Sequence, residues 1–330
     1  MKKLILALLV LAATSCHSVK SSSTTKLAEQ IVERTITPTT AVADVAEKSL
    51  GLRYEPGISI GIAHRDFSNR LKEIKEAGFK YIEITIGHSF GMMNMTDDEA
   101  KAILQQRKSQ VANAGLTLWS IHLPFEDKTW TNIAGSEEIR VQSVNNILRV
   151  LTLCAESFPE CKNYVLHPSK GALSPRSESV KQARKSLEQM IPAANKLGVR
   201  LCVENLVGSL CPTIAEMEAT IKDIDNAWVT YDIGHANCTG QDVVGFLEWI
   251  GPRLGTVHMH DTMFNSRVDD HRIAGLGNVN RWAEVYNTLL NTNRYRGVFL
   301  FELGGADAKE VMKSYNMIVD SYKNMFEKVK

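Results

Sequence analysis

The sequence predicts a (β/α)8 barrel, the TIM barrel architecture of the α/β class, and three observations lead to this prediction. Eight short apolar runs alternate with helix-like segments from about residue 56 to the C-terminus. The runs are apolar at consecutive positions, as expected for strands covered on both faces. Residues able to ionise or to bind a metal recur at the ends of six consecutive runs. The length of this region suits one barrel, which needs roughly 250 residues.

The strands are predicted from short runs rich in β-branched and aromatic residues. They cover residues 58–63, 81–86, 116–123, 163–168, 199–205, 227–235, 254–261 and 297–303. A doubly wound parallel sheet is the alternative arrangement for such a pattern. The first strand, however, is not followed by the glycine-rich phosphate loop that is typical of that architecture. We therefore prefer the barrel.

The helices between these strands are predicted from capping residues and apolar periodicity. Thr96 precedes three acidic residues, which favours a helix start, and Gly115 favours the end of that helix. The other predicted helices begin near Ser68, Ser136, Ser174, Thr213, Asp242, Trp282 and Asp307.

The N-terminal segment resembles the signal of an exported bacterial lipoprotein. Two lysines precede an apolar run over residues 4–13, and the letters ATSC then end at Cys16. The run is too short to span a bilayer, which favours a cleaved signal. We expect lipidation of Cys16 and a membrane-anchored protein facing the periplasm; a plain secretory signal is the alternative. The predicted parts are residues 1–16 as signal peptide, 17–55 as Ser/Thr-rich tether and N-terminal extension, and 56–330 as catalytic barrel.

Charge and cysteine content limit the function classes. The chain has 38 Lys and Arg against 37 Asp and Glu, a formal net charge of +1. Such a chain lacks the overall basic field of a nucleic-acid-binding protein, so no nucleic-acid partner is expected. Five cysteines follow Cys16, and their spacing fits no zinc motif. Cys211 with Cys238, or Cys154 with Cys161, are candidate disulfides, and buried free thiols are the alternative reading.

Polar residues at the strand ends carry the functional prediction. The carboxyl ends of barrel strands converge on one face, where active sites lie. A single His or Glu at such a position is usually an ordinary rim residue, but here strands three to eight all have one. Crowded buried carboxylates need a compensating cation, and imidazole with carboxylate is a common ligand set for a divalent metal. The residues are His122, His167, Glu204, Asp232, His235, His258, His260, Asp261, Asp269, His271 and Glu302, with Glu83 on the second strand.

The motifs HLPF, LHPS, VEN, DIGHA, VHMHD, DDHRIAGLG and FELGG resemble the xylose isomerase-like TIM barrels. That superfamily contains sugar and sugar phosphate isomerases and epimerases, and the endonuclease IV group. The resemblance implies one divalent metal, manganese by preference, with magnesium, cobalt or zinc as alternatives. It also implies that Glu204 and Glu302 act as the acid–base pair on a small sugar substrate. The implied metal ligands are Glu204, Asp232, His258 and Glu302.

Other functions remain open at this stage. The endonuclease IV group uses a three-zinc cluster, and by resemblance its further ligands map here onto His122, His167, His235, Asp269 and His271. In a sugar enzyme these residues and His260 contact substrate instead. An exported lyase on keto-glycosides and a non-catalytic sugar-binding lipoprotein are further alternatives. We prefer the isomerase or epimerase, since an exported, nearly neutral protein is poorly suited to chromosomal DNA.

Several residues are predicted as substrate contacts with less support. Glu83 and His88 are candidate sugar contacts near the second strand. The letters GLGN near Gly275 are a weak candidate for a phosphate cradle. Four aromatic residues near strand ends are candidates for a sugar-stacking wall, with core packing as the alternative: Trp119, Phe125, Trp130 and Phe264.

Overall fold

The computed structural model describes residues 54–87, 91–125, 129–169 and 173–327, and these form a barrel of eight parallel strands. The strands are β1 Pro56–Gly61, β2 Tyr81–Thr85, β3 Thr117–His122, β4 Asn163–Leu166, β5 Arg200–Glu204, β6 Trp228–Asp232, β7 Leu254–His258 and β8 Phe299–Phe301. Their hydrogen-bonded order is β7-β6-β5-β4-β3-β2-β1-β8. Met259, just after β7, pairs with Phe301 and donates its N–H to the Leu300 carbonyl at 2.8 Å, which joins the two ends of the sheet. The predicted TIM barrel is confirmed.

Helices follow the strands and cover the outside of the barrel. They are α1 Phe67–Glu76, α2 Asp97–Asn113, α3 Glu137–Ser157, α4 Arg176–Lys196, α5 Ile214–Ile221, α6 Ile233–Cys238, α7 Val243–Ile250, α8 Trp282–Asn287 and α9 Ala308–Tyr322. Between strands and helices, one continuous apolar core is buried. No helix within the described ranges is long and apolar enough to cross a membrane.

Side-chain caps set several helix starts where the sequence predicts them. Thr96 accepts from the Glu99 N–H at 3.3 Å, and the Glu99 carboxylate accepts from the Thr96 N–H at 2.8 Å, which is a complete capping box. Thr213 caps α5 with its hydroxyl oxygen, which accepts a hydrogen bond from the Glu216 N–H. The start predicted at Ser174 is wrong by two residues. Ser174 precedes a proline, which disfavours helical geometry at that position, and α4 begins at Arg176.

The sixth strand is shorter than predicted, and this difference shapes the site. The strand ends at Asp232, whose carboxylate accepts a hydrogen bond from the His235 N–H at 2.6 Å. Asp232 therefore acts as the N-cap of α6, a helix that starts immediately after the strand. As a result, His235 lies on a helical turn next to the strand ends, instead of on the strand itself.

The cysteines are buried free thiols. Cys154, Cys161, Cys202, Cys211 and Cys238 are all buried and none is paired with another, so the two candidate disulfides are not formed. Burial raises the pKa of Cys154 to about 12, so this thiol stays protonated at neutral pH. Residues 1–53, including Cys16, the predicted signal and most of the predicted tether, lie outside the described residues.

Candidate metal centre and active site

The predicted strand-end residues converge at one mouth of the barrel, where they form three groups of potential metal ligands. The ligand atoms within each group all lie within 4.8 Å of one another. The central group contains Glu204, Asp232, His258 and Glu302; the second contains His122, His167 and Glu204; the third contains His235, His260, Asp269 and His271. Glu204 is common to the first two groups.

The central group is arranged around the imidazole of His258. Its Nδ1 atom lies 2.9 Å from Glu204 Oε1, 3.1 Å from Glu302 Oε2 and 3.8 Å from Asp232 Oδ2. Its Nε2 atom points the other way and lies 3.2 Å from Glu83 Oε2. Four of these side chains are fully buried, namely His258, Glu204, Asp232 and Glu83. The Glu302 side chain is 15% exposed. Glu302 is therefore the member of this set that opens towards solvent.

The second group lies on the other side of Glu204. His122 Nε2 and His167 Nε2 are 3.1 Å apart, and they lie 3.4 and 3.1 Å from Glu204 Oε2. His122 Nδ1 is 2.8 Å from the Leu123 carbonyl, which places a proton on Nδ1 and directs Nε2 into the group. The Phe125 ring packs on both imidazoles, with ring centroids 4.7 and 4.6 Å away.

The third group is built on Asp269. Asp269 Oδ2 lies 3.1 Å from His235 Nε2 and 2.9 Å from His271 Nε2. The Nδ1 atoms of the two histidines lie 2.9 Å from the backbone carbonyls of Asn205 and Glu302, respectively. His260 stacks on His271 with centroids 4.2 Å apart, and its Nε2 atom is 3.0 Å from Asp232 Oδ2. The third group is thereby joined to the central one.

The carboxylates dominate the electrostatics of this mouth. Burial alone would lower the pKa of His258, but the charges of Glu302, Glu83 and Glu204 raise it well above 6.5. Burial would also lower the pKa of His235, but chiefly Asp232 raises it to about 10. In the same way, chiefly Asp269 raises the pKa of His271 to about 10. In the metal-free protein, imidazolium groups therefore balance the carboxylates.

His167 behaves differently from its neighbours. Burial lowers its pKa, and the nearby Glu204 carboxylate does not reverse the effect. The neutral form of His167 is therefore favoured, and this is the form that can bind a metal or accept a hydrogen bond from a substrate hydroxyl. Burial alone would raise the pKa of Glu204, but the positive charge of His258 and the nearby imidazoles of His122 and His167 lower it well below 4.5. Glu204 is thus an ionised carboxylate in a fully buried position.

The residues present fit a divalent cation. Oε2 of Glu204 and Oδ1 of Asp269 are buried oxygens that, among the described residues, receive no hydrogen bond of good geometry. Such atoms are costly unless something compensates them, and both belong to the ligand groups. In addition, His122, His235 and His271 each have Nδ1 at a backbone carbonyl and Nε2 in the site. A histidine held in this way is typical of metal coordination.

Asp261, predicted with the strand-end cluster, has a structural position. Its carboxylate accepts hydrogen bonds from the backbone N–H groups of Thr262 at 2.9 Å, Gly275 at 2.8 Å and Val279 at 2.9 Å. A Cβ atom on Gly277 would lie 2.3 Å from Asp261 Oδ1, so glycine is required for this close approach. The amide groups around GLGN are therefore used by a carboxylate of the protein itself, and the predicted phosphate cradle is wrong.

Two further substrate predictions need correction. Glu83 lies behind His258, fully buried, so its position suits a contact with that ring and not with a sugar. Trp119 is only 7% exposed and donates its indole N–H to Thr256 at 3.0 Å, so it packs in the core.

The other predicted aromatic contacts differ in position. Trp130 is half-buried and Phe125 lies at the mouth. Phe264 is 55% exposed and lines a separate cleft of about 400 Å³. His88 lies outside the described residues.

Asn205 is a site residue that the sequence reasoning missed. Its side-chain amide donates to the Asp232 carbonyl and accepts from the Asp232 N–H, both at 2.8 Å. The amide thus holds the ends of β5 and β6 together and sets the position of Asp232. Its place in the motif VEN, directly after Glu204, was the available signal.

The fold and the convergent ligand groups define a TIM barrel with a cluster of histidines and carboxylates at its mouth. The chain belongs to the xylose isomerase-like TIM barrel family, which it matches over residues 71–318. It is 30% identical over 216 residues to the uncharacterized protein MJ1311 of Methanocaldococcus jannaschii, an alignment that covers 61% of this chain and 70% of that protein.

Solved structures with the same fold include sugar epimerases. A D-tagatose 3-epimerase-like protein aligns with a TM-score of 0.67 at 24% identity, covering 83% of this chain and 99% of that chain. L-ribulose 3-epimerase aligns with a TM-score of 0.65 at 17% identity, covering 84% of this chain and 98% of that chain. At these identities the likeness shows the fold.

Proposed function

We propose that the protein is a metal-dependent sugar isomerase or epimerase that transfers a proton next to a carbonyl. One observation carries the proposal. Glu204 from β5 and Glu302 after β8 each place a carboxylate oxygen within 3.1 Å of the same atom, His258 Nδ1. Two carboxylates in one ligand group, approaching from different strands, suit the removal and return of a proton. The names of the structural neighbours, which are epimerases, agree with this class.

In the proposed reaction, the chain supplies the acid–base groups. A divalent metal in the central group, manganese by preference, would polarise a substrate carbonyl and acidify the neighbouring C–H bond. In its ionised form, one of the carboxylates of Glu204 and Glu302 would remove the proton; the other would first take a proton from solvent, which reaches Glu302, and would then return a proton to the carbanion. Return on the opposite face gives an epimer, and return to the neighbouring carbon gives an isomer. Each such group contributes roughly 10²–10⁴-fold to the rate.

An unphosphorylated sugar is the preferred substrate class. In the GLGN loop the Gly275 amide donates to Asp261, and the amides of Leu276 and Asn278 donate to backbone carbonyls, so the loop offers no anion cradle. The neutral His167 and the half-buried Phe125 at the mouth suit hydroxyl groups and a sugar ring face, respectively. A keto-glycoside would use the same groups, so a lyase on such substrates is tested by adding a keto-glycoside to the screen and following its cleavage.

A zinc phosphoesterase like endonuclease IV is the second candidate, and the two additional ligand groups favour it. Five carboxylates contact the histidines of the mouth: Glu83, Glu204, Asp232, Asp269 and Glu302. Their charge of −5 becomes −1 with one divalent metal in the central group while His235 and His271 stay protonated, and +1 with three metals and neutral histidines. Only the three-metal state would attract a phosphodiester anion. Metal stoichiometry therefore separates the two candidates.

The test combines metal analysis with an activity screen. The purified protein is analysed for bound metal per chain, and turnover is followed by the change in ketohexose composition. About one manganese, cobalt or magnesium with epimer formation supports the proposal. Close to three zinc ions, with cleavage of abasic-site DNA, supports the second candidate. No metal after soaking contradicts both candidates and leaves a sugar-binding lipoprotein.

Variants of the acid–base pair provide the matched comparison. Glu204→Gln and Glu302→Gln should each abolish turnover, while Glu188→Gln, an exposed position on α4, should leave it unchanged. A pure sugar-binding protein should keep its sugar affinity in both site variants if the metal is retained.

We also propose, from the sequence, that Cys16 is lipidated and anchors the exported protein to a membrane facing the periplasm. Mass spectrometry of the mature N-terminus after expression of the full chain tests this. A diacylglyceryl Cys16 supports it, whereas an unmodified N-terminus beyond Cys16 indicates an ordinary secretory signal.

A further inference from the structure

The carboxylate of Glu83 is buried in the barrel interior next to a metal ligand. Glu83 lies on β2, in register with Ser59 of β1 and Ser120 of β3. Its side chain is fully buried, and Oε2 accepts a hydrogen bond from Ser120 Oγ at 2.7 Å while lying 3.2 Å from His258 Nε2. Burying an ionisable side chain costs free energy, so such a group requires a compensating role.

A β-bulge brings the hydroxyl of Ser120 to Glu83. The register between β2 and β3 runs from Ile82 opposite Leu118 directly to Glu83 opposite Ser120, so Trp119 is skipped. In an unbroken register Trp119 would face Glu83. The extra residue thus supplies the hydrogen-bond donor that holds the carboxylate in place. Bulges that re-aim a side chain are common next to active sites.

His258 is held in the opposite sense to other histidines of the mouth. His122, His235 and His271 each have Nδ1 at a backbone carbonyl, which leaves Nε2 for a ligand. In His258 it is Nδ1 that faces Glu204 and Glu302, while Nε2 faces Glu83. The Glu83 carboxylate therefore lies where it can accept the ring proton of His258, as a backbone carbonyl does for the other three histidines. Unlike a carbonyl, a carboxylate can also carry a negative charge.

We propose that Glu83, fixed by Ser120, is a positioning residue that holds the proton of His258 on Nε2, so that Nδ1 is the ligating atom of the central group. The carboxylate also increases the basicity of the ring as a ligand. The inference rests on the metal group of the proposed function and not on its reaction. A change at Glu83 should therefore alter metal binding first, and turnover only as a result.

The experiment measures metal affinity in the metal-free full chain by calorimetric titration with Mn²⁺, and by the visible spectrum with Co²⁺. Glu83→Gln keeps the shape of the side chain and removes its charge; we expect about 10–100-fold weaker binding and altered cobalt bands. Ser120→Ala keeps the charge and releases the carboxylate, and it should weaken binding by a smaller factor. The matched control is Thr256→Val, which breaks the buried Trp119–Thr256 hydrogen bond on the same strand as His258; its metal affinity should match that of the parent.

Two outcomes overturn the inference. One is parental Mn²⁺ affinity and cobalt spectrum in Glu83→Gln, and the other is a loss no larger than that in Thr256→Val. If Glu83→Gln does not fold, Ser120→Ala decides: unchanged affinity contradicts the inference, and weakened affinity supports it. Failure of the proposed function gives a different result. If the parent protein turns over no sugar but Glu83→Gln still weakens metal binding, only the proposed reaction is refuted.

Discussion

A methyl group added at Gly234 should displace His260 and thereby disturb the candidate metal centre. Gly234 lies on α6, and an ideal Cβ atom there would lie 2.0 Å from His260 Cε1, 2.4 Å from Nδ1 and 2.5 Å from Nε2. Non-bonded carbon atoms pack at about 3.5–4.0 Å. The imidazole of His260 would therefore have to retreat by more than an ångström in Gly234→Ala.

The size of the effect follows from what His260 contacts. Its Nε2 atom is 3.0 and 3.1 Å from the two oxygens of Asp232, and a shift of this size away from Asp232 would break both contacts. Overpacking costs about 1–3 kcal/mol, and loss of a hydrogen bond to a charged group costs about 1.5–3 kcal/mol. A destabilisation of about 3 kcal/mol would lower the Tm of a domain of this size by roughly 6–12 °C.

Calorimetry and metal titration together test this reasoning. Gly61→Ala is the control, because a Cβ atom there meets nothing within 4 Å. We expect Gly234→Ala to lower the Tm and to weaken metal binding, since Asp232 loses its partner. A Tm and a metal affinity equal to those of Gly61→Ala would show that His260 moves without cost, and would refute the reasoning.

Three other predictions concern pH, the loop after β7 and metal removal. In the metal-free protein, His235 and His271 have pKa values of about 10 against 6.5 for the ordinary imidazole, so their stabilising effect is complete below pH 6.5 and is lost as the pH rises towards 10. Metal affinity should rise over the same range, because the metal displaces these protons; a denaturation midpoint and an affinity that both stay flat from pH 6.5 to 10 would contradict this. Asp261→Ala removes the acceptor of three backbone N–H groups. It should cost about 1–3 kcal/mol for each group left buried and unsatisfied, and loosen the loop that holds Asp269; urea denaturation measures the cost, and a parental midpoint would refute it. Chelation of bound metal should lower the Tm in proportion to the binding free energy lost; an unchanged Tm in a chain shown to release metal would argue against a ligand role for the buried carboxylates.

The proposed function depends on how many cations the mouth holds. The three ligand groups share Glu204 and are linked through the Asp232–His260 contact, so occupation of one group alters the charge felt by the others. With a single metal, the third group keeps its imidazolium–carboxylate pairs and is suited to binding hydroxyl groups. With three metals, the same residues become ligands of a phosphoesterase centre. The residue types are common to both states, so stoichiometry is the deciding measurement.

The sequence by itself determined the elements of the fold and which residues meet at the mouth. Alternating apolar runs and caps such as Thr96 are local signals, because a strand or a helix start depends on neighbouring residues. Convergence of Glu204, Asp232, His258 and Glu302 also followed, since parallel strands in one barrel bring their carboxyl ends to one face.

The tertiary structure decided how each side chain is used. The bulge at Trp119, the amide clamp of Asn205 and the contact between Glu83 and His258 all join residues from different strands. Asp261, which the sequence grouped with the ligands, is held instead by amides up to 18 residues further along the chain. Such contacts depend on strand register and on barrel closure, and a one-residue change in register redirects every side chain of a strand. No local pattern records that register, so these roles appear only once the barrel is formed.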